Sequence, residues 1–145
     1  MYSGPVVRRS IFDPDASDTR SNFTKIAVSP DGKLVVSPDP SDPQARLSLR
    51  HLDQLTGTPI PGTDVAFSPF ISWDSRTLGF VKSSAVYTVP IAGGVATPVP
   101  NAQTDAIGAP AWTPDGRIVF TNTHGGLSVV RTDGRDLRVI ATPDS

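Results

Sequence analysis

Apolar residues run through this chain in short bursts of Val, Ile, Leu, Phe and Tyr, separated by Pro, Gly, Asp and Ser. Such bursts read as short extended segments, because β-branched and aromatic side chains suit a pleated, half-buried surface and turn formers bound it. The bursts recur at a fixed interval. Leu34-Val35-Val36, Thr77-Leu78-Gly79-Phe80-Val81 and Ile118-Val119-Phe120-Thr121 form one series. Leu47 to Leu52, Val86 to Ile91 and Leu127 to Thr132 form a second, with offsets of 39 and 41 residues. Before each unit come Ile26-Ala27-Val28, Pro69 to Trp73 and Ala109 to Trp112, whose mix of small and bulky residues suits a crowded inner strand. A weaker run closes each unit, around Pro59-Ile60, Thr97 to Val99 and Leu137 to Ile140. Each unit therefore holds four strands.

The joint between the first two strands carries the clearest repeat. Ser29-Pro30-Asp31-Gly32-Lys33 returns as Thr113-Pro114-Asp115-Gly116-Arg117 after 84 residues, and Ser72-Trp73-Asp74-Ser75-Arg76 stands halfway. Pro presets φ, Asp bonds the backbone that follows it, and Gly accepts positive φ, so the chain reverses tightly. The middle copy lacks the Gly, which predicts a looser or more strained turn there, tolerable if Ser75 keeps φ negative. Four strands in a period of about 40–45 residues are the signature of β-propeller blades. The fold class is all-β, with about three blades of four antiparallel strands in a single partial-propeller domain over 1–145. The blades run over about 23–61, 64–100 and 105–141, with an additional N-terminal strand over about 6–12, Val6 to Phe12. The 15 Pro and 12 Gly fit this punctuation and leave little room for long helices.

These motifs resemble the six-bladed TolB-like propellers, built from WD-like repeats with a Ser-Pro-Asp-Gly signature. The order Ile26 to Leu34, Leu52-Asp53, Pro61-Gly62-Thr63, Ser68-Pro69-Phe70, Val89 to Gly94, Gly108 to Trp112 and Gly116 to Phe120 is similar to propeller segments of bacterial receptor-type Ser/Thr kinases. The likeness covers residues 6–145 and includes nothing of a kinase domain. It implies a noncatalytic module that binds a protein, peptide or small ligand through one rim, with relatives that place the propeller outside the cytoplasm. TolB-like propellers also resemble the gating domains beside prolyl-oligopeptidase-type hydrolases, which makes a fragment of such an enzyme the alternative. A purely structural self-association unit is a third reading. Three blades do not close a ring, so either two copies complete six blades, a homodimer in which residues 6–12 pair with the third blade of the partner, or the chain is an open arc.

Charge and composition narrow the chemistry. Thirteen Lys and Arg against 14 Asp and Glu give a net charge of -1, with arginines scattered among the blades, which argues against nucleic acid as a partner. No apolar run reaches the roughly 18–20 residues that span a bilayer, and residues 1–20 lack the apolar core of a signal peptide, so a soluble chain with no membrane insertion is expected. The absence of Cys removes disulfides, thiolate metal sites and thiol nucleophiles. Asp13, Asp15, Ser17 and Asp18 offer hard oxygens but lack the Gly and closing Glu of an EF-hand loop, and Asp39, Ser41 and Asp42 read as a rigid exposed loop. His51 reads as a sheet position and His124 as a hairpin loop. Gly93-Gly94 and Gly125-Gly126 precede no helix and cradle no phosphate. Trp73, Trp112, Phe70, Phe80, Phe120 and Tyr87 recur at blade spacing and read as core rather than as a stacking platform. No catalytic, cofactor or metal site is expected. Ligand contacts are expected from the loops Asp39 to Gln44, Gly62 to Asp64 and Asn122 to Gly125.

Overall fold

A computed structural model describes residues 26–104 and 109–143. Twelve strands form three four-stranded antiparallel sheets, and no helix occurs among the described residues. The first sheet holds β1 (Ala27–Val28), β2 (Leu34–Pro38), β3 (Leu47–His51) and β4 (Thr58–Pro59). The second holds β5 (Phe67–Ile71), β6 (Thr77–Lys82), β7 (Ala85–Pro90) and β8 (Thr97–Gln103). The third holds β9 (Ala111–Trp112), β10 (Arg117–Thr121), β11 (Leu127–Arg131) and β12 (Arg138–Ala141). Strands follow chain order across each sheet, which is the topology of propeller blades. The N-terminal strand expected over residues 6–12 lies outside the described residues.

Register aligns the blades along their second and third strands. Val36 pairs with Leu49, Gly79 with Thr88 and Val119 with Val129, so these positions correspond across the three sheets. Side chains alternate between the two faces of a strand. Each blade thus has a forward face, toward the next blade, and a backward face, toward the preceding one. Ala27, Val36 and Leu47 on the forward face of the first blade pack with Ile71, Leu78, Phe80 and Val89 on the backward face of the second. Phe70 and Val86 on the second blade's forward face pack with Trp112, Ile118, Phe120 and Val130 of the third. The core is therefore two apolar seams between three sheets. Phe80 is fully buried and stacks on Tyr87 at 5.6 Å between ring centres. Phe70 meets Trp112 at 5.7 Å, and it lies over Gly79, where any Cβ would fall inside its ring.

The three Asp turns share one hydrogen-bond scheme. The hydroxyls of Ser29 and Ser72 donate to Asp31 and Asp74 at 2.5 Å, and Thr113 donates to Asp115 in the same way. The same hydroxyls accept the backbone N–H that opens the next strand, from Leu34, Thr77 and Arg117. Asp31 and Asp74 also accept the Lys33 and Arg76 N–H groups at 3.0 Å, and the Ser or Thr hydroxyl is the main cause that holds each of the three carboxyls below its ordinary value. Gly32 and Gly116 take φ of 73° and 88°, and Ser75 takes 60°. The middle turn is therefore the strained version of the same turn: φ at Ser75 is positive, contrary to the negative value that would make Ser easy there.

Trp73 also departs from expectation. It stands at the turn position of Pro30 and Pro114, not at the end of an inner strand, and is 58% exposed. Its indole N–H donates to the Trp112 carbonyl at 2.9 Å, while the Trp112 indole donates to the Phe70 carbonyl at 3.1 Å. The two indoles lace the second and third blades together at backbone level.

Candidate functional site

Because strands alternate in direction, the connections sort to two ends of the blades. The Asp turns and the β3–β4, β7–β8 and β11–β12 connections share one end. The β2–β3, β4–β5, β6–β7 and β10–β11 connections share the other, so all three loops expected to bind a ligand open on the same rim.

Two of those loops meet. The β2–β3 loop is folded by Asp42, whose Oδ2 accepts from Arg46 Nε at 2.7 Å and from the Arg46 backbone at 3.0 Å, and whose Oδ1 accepts from the Gln44 backbone at 3.2 Å. The Asp42 side chain is 4% exposed, and the Arg46 hydrogen bond first of all lowers its pKa from 3.8 to about 2. The β4–β5 loop is pinned from inside by the buried Thr63, which donates its hydroxyl to the Ile60 carbonyl at 2.6 Å and accepts the Leu47 N–H at 3.0 Å. Lys82 on β6 reaches back to Asp64 at 3.0 Å, and this hydrogen bond is the main cause lowering the Asp64 carboxyl. The Val65 N–H joins the loops by donating to the Ala45 and Gln44 carbonyls at 3.1 and 3.3 Å.

Between them opens a cleft of about 570 Å³, floored by Ala45 and Val65 and walled by Pro43, Gln44 and Arg46 on one side and Pro61, Gly62 and Asp64 on the other. Ala45 and Val65 both hold φ of 52°. A left-handed backbone costs on the order of 1–3 kcal/mol for such residues and is most costly for a β-branched one. Val65 is nevertheless 63% exposed, so burial of its own side chain does not explain the strain. The loops are shaped by Asp42, Thr63 and Lys82 to present an apolar floor beside the Arg46 guanidinium and the Asp64 carboxylate, the latter paired with Lys82.

The other candidates fall elsewhere. Asp39 is occupied by the Ser41 N–H at 2.9 Å and hydroxyl at 2.6 Å. Asn122 closes its own hairpin, accepting from the His124 and Gly126 N–H groups at 3.0 Å, so the Asn122 to Gly125 loop shares the rim without entering the cleft. His51 is exposed at the end of β3 opposite Leu34, and His124 is exposed in the hairpin. Asp13, Asp15 and Asp18 lie outside the described residues. Among the described residues no group of three or more His, Asp or Glu is placed to hold a metal, and no helix is long and apolar enough to cross a membrane. A smaller depression of about 230 Å³ lies on the first blade, by Ser37, Ser48 and Arg50. Val65 and Lys82 were not singled out by sequence as site residues, although the expected loops Asp39 to Gln44 and Gly62 to Asp64 both border the cleft.

Three stacked blades define the molecule as a β-propeller segment, and solved structures specify the kind. No family model matches the chain, and no curated protein matches it in sequence. TolB from Acinetobacter baumannii is 18% identical with a TM-score of 0.71, over 83% of this chain and 32% of that one. A putative TolB from Agrobacterium tumefaciens is 20% identical with a TM-score of 0.69, over 81% of this chain and 46% of that one. XC5397 from Xanthomonas campestris, described as a gluconolactonase, is 16% identical with a TM-score of 0.65, over 84% and 48%. The chain has the TolB-like propeller fold, and it spans between about a third and a half of the length of these structures.

Proposed function

We propose that the chain is a noncatalytic interaction module that seats a polypeptide segment in the rim cleft between the β2–β3 and β4–β5 loops. One observation carries the reading: Ala45 and Val65 hold costly backbone conformations, and the outcome is an open cleft with an exposed apolar floor. An apolar floor with Arg46, Lys82 and Asp64 at its border suits an apolar side chain flanked by polar backbone. A noncatalytic role fits the state of the acids, since Asp42 is held by Arg46, Asp64 by Lys82, and the turn aspartates by Ser or Thr. Binding to one rim also accords with the propeller architecture, though one fold serves many tasks. The backward face of the first blade sets Ser37, Ser48 and Arg50 around Val28 and Val35, and this polar share favours an arc that works alone over a ring closed by a second copy.

The test is selection of random twelve-residue peptides on the full chain, followed by affinity measurement on variants. Val65→Asp is expected to weaken the selected peptides at least tenfold, while His124→Ala leaves them unchanged. Peptides that ignore Val65→Asp, or no binders at all, would overturn the reading.

A further inference from the structure

The β2–β3 ladder of the first blade carries a row of polar groups that the other blades lack. Ser37 stands opposite Ser48, and Arg50, two residues beyond Ser48, shares its face because side chains alternate along a strand. In the other direction the ladder runs on past β2, where the Asp39 N–H donates to the Arg46 carbonyl at 3.2 Å. The order along the ladder is therefore a guanidinium, two hydroxyls and a carboxylate, with about 13 Å of backbone between the Arg50 row and the Asp39 row. In the other blades Arg50 corresponds to Val89 and Val130, and Ser37 to Phe80 and Phe120, so the row is particular to the first.

All four residues line the depression of about 230 Å³, together with Leu55 and Gly57. A Cβ at Gly57 would collide with the Ser48 Oγ, so the missing side chain is what leaves that hydroxyl reachable. Arg50 and Asp39 are the charged residues of the lining, and neither forms an ion pair among the described residues. Ser41 engages Asp39 through Oδ1 alone, with its N–H and its hydroxyl, which leaves Oδ2 without a partner among the described residues. The Ser37 and Ser48 hydroxyls likewise have none there. A guanidinium and a carboxylate that share one small depression without pairing select against a simple anion or a simple cation, since each would be attracted by one group and repelled by the other. A molecule that carries both charges matches both ends.

We propose that this depression binds a small zwitterion, an amino acid or a dipeptide, with its carboxylate on Arg50 and the two serine hydroxyls and its ammonium on Asp39 Oδ2. Leu55, 94% exposed at the same depression, offers a surface for an apolar side chain of the ligand. The charge-assisted hydrogen bonds at the two ends supply the selectivity, because a ligand that lacks either charge leaves one end unmatched. The depression shares no lining residue with the rim cleft, and the proposal does not depend on that cleft.

The probe is glycyl-leucine, titrated into the isotope-labelled full chain and followed by backbone amide shifts, beside leucine and two twins of the dipeptide. Glycyl-leucinamide lacks the carboxylate, and N-acetylglycyl-leucine lacks the ammonium. The expected result is shifts centred on Ser37, Asp39, Ser48, Arg50 and Gly57, with each twin bound about tenfold more weakly than the dipeptide. The tighter of leucine and glycyl-leucine tells which length of zwitterion spans the site, and either fits it. Arg50→Gln is expected to bind the dipeptide and its amide alike, and Asp39→Asn the dipeptide and its acetyl twin alike, with circular dichroism and melting temperature unchanged in both. Twins that bind as tightly as the dipeptide, discrimination that survives Arg50→Gln, or shifts that gather at Ala45 and Val65 instead would overturn the proposal. So would the absence of any shift up to about 20 mM ligand.

Discussion

The backward faces of the three blades share one backbone register and carry different chemistry. Where the second blade has Phe80, Tyr87 and Val89 and the third has Phe120, Ser128 and Val130, the first has Ser37, Ser48 and Arg50. The inner-strand positions also shrink, from Ile71 and Trp112 to Val28, which is half exposed. The two former faces are covered by a neighbouring sheet, whereas no described sheet packs on the latter, where Val35 is nevertheless buried. Ser48 matches the buried Ser128, so the contrast lies at Ser37 and Arg50, polar where Phe80, Phe120, Val89 and Val130 are buried under a neighbouring sheet. In stacked repeats a polar outer face marks an end, and the first blade's flank sets Ser37, Ser48 and Arg50 around the apolar Val28 and Val35.

Moving residues between these faces should expose the difference at once. Val89→Arg forces an unpaired charge into the first seam and should cost about 4 kcal/mol or more, seen as loss of cooperative unfolding in urea, whereas Arg50→Val at the corresponding position should stay within about 0.5 kcal/mol. Phe80→Ala empties the largest fully buried side chain of that seam and should cost about 3–5 kcal/mol, while Ser37→Ala should be nearly silent. Trp73→Phe removes the donor to the Trp112 carbonyl, a tie that the first seam lacks because Pro30 stands there, and should cost about 1 kcal/mol. Ser75→Gly relieves a left-handed Ser at the loss of some chain entropy and should raise stability by about 0.5 kcal/mol, with the same substitution at Ser37 having the opposite sign.

The smallest effect concerns acid. Asp42 ionises at about 2 in the fold against 3.8 ordinarily. Its contribution is complete above the unfolded value and is lost as pH falls through the folded one. Asp42→Asn should therefore flatten the dependence of stability on pH between about 4 and 2, measured by urea midpoints, and leave the slope near neutrality alone.

Much of this was legible because the turns repeat their chemistry. Ser29, Ser72 and Thr113 with their aspartates marked the joints, and the period placed four strands around each. Trp73 was misassigned to the core because two tryptophans 39 residues apart look like one position, although Asp74 and Asp115, 41 apart, align Trp73 with Pro114. Two residues of slippage moved a side chain from a turn to a seam. The loops of the cleft were expected to bind, yet their meeting was not readable. It depends on left-handed Ala45 and Val65, residue types that carry no turn signal. The polar end of the first blade needed the register before Ser37 could be compared with Phe80.

Two apolar seams make the three blades one unit, and the first blade's outer flank is expected to stay free of a second copy. Light scattering of the full chain over a wide concentration series tests it most directly. A constant mass of 15.3 kDa with one cooperative unfolding transition is the expected result. A mass that rises to twice that value, and falls back in Arg50→Glu, would show the flank to be an interface and contradict the account.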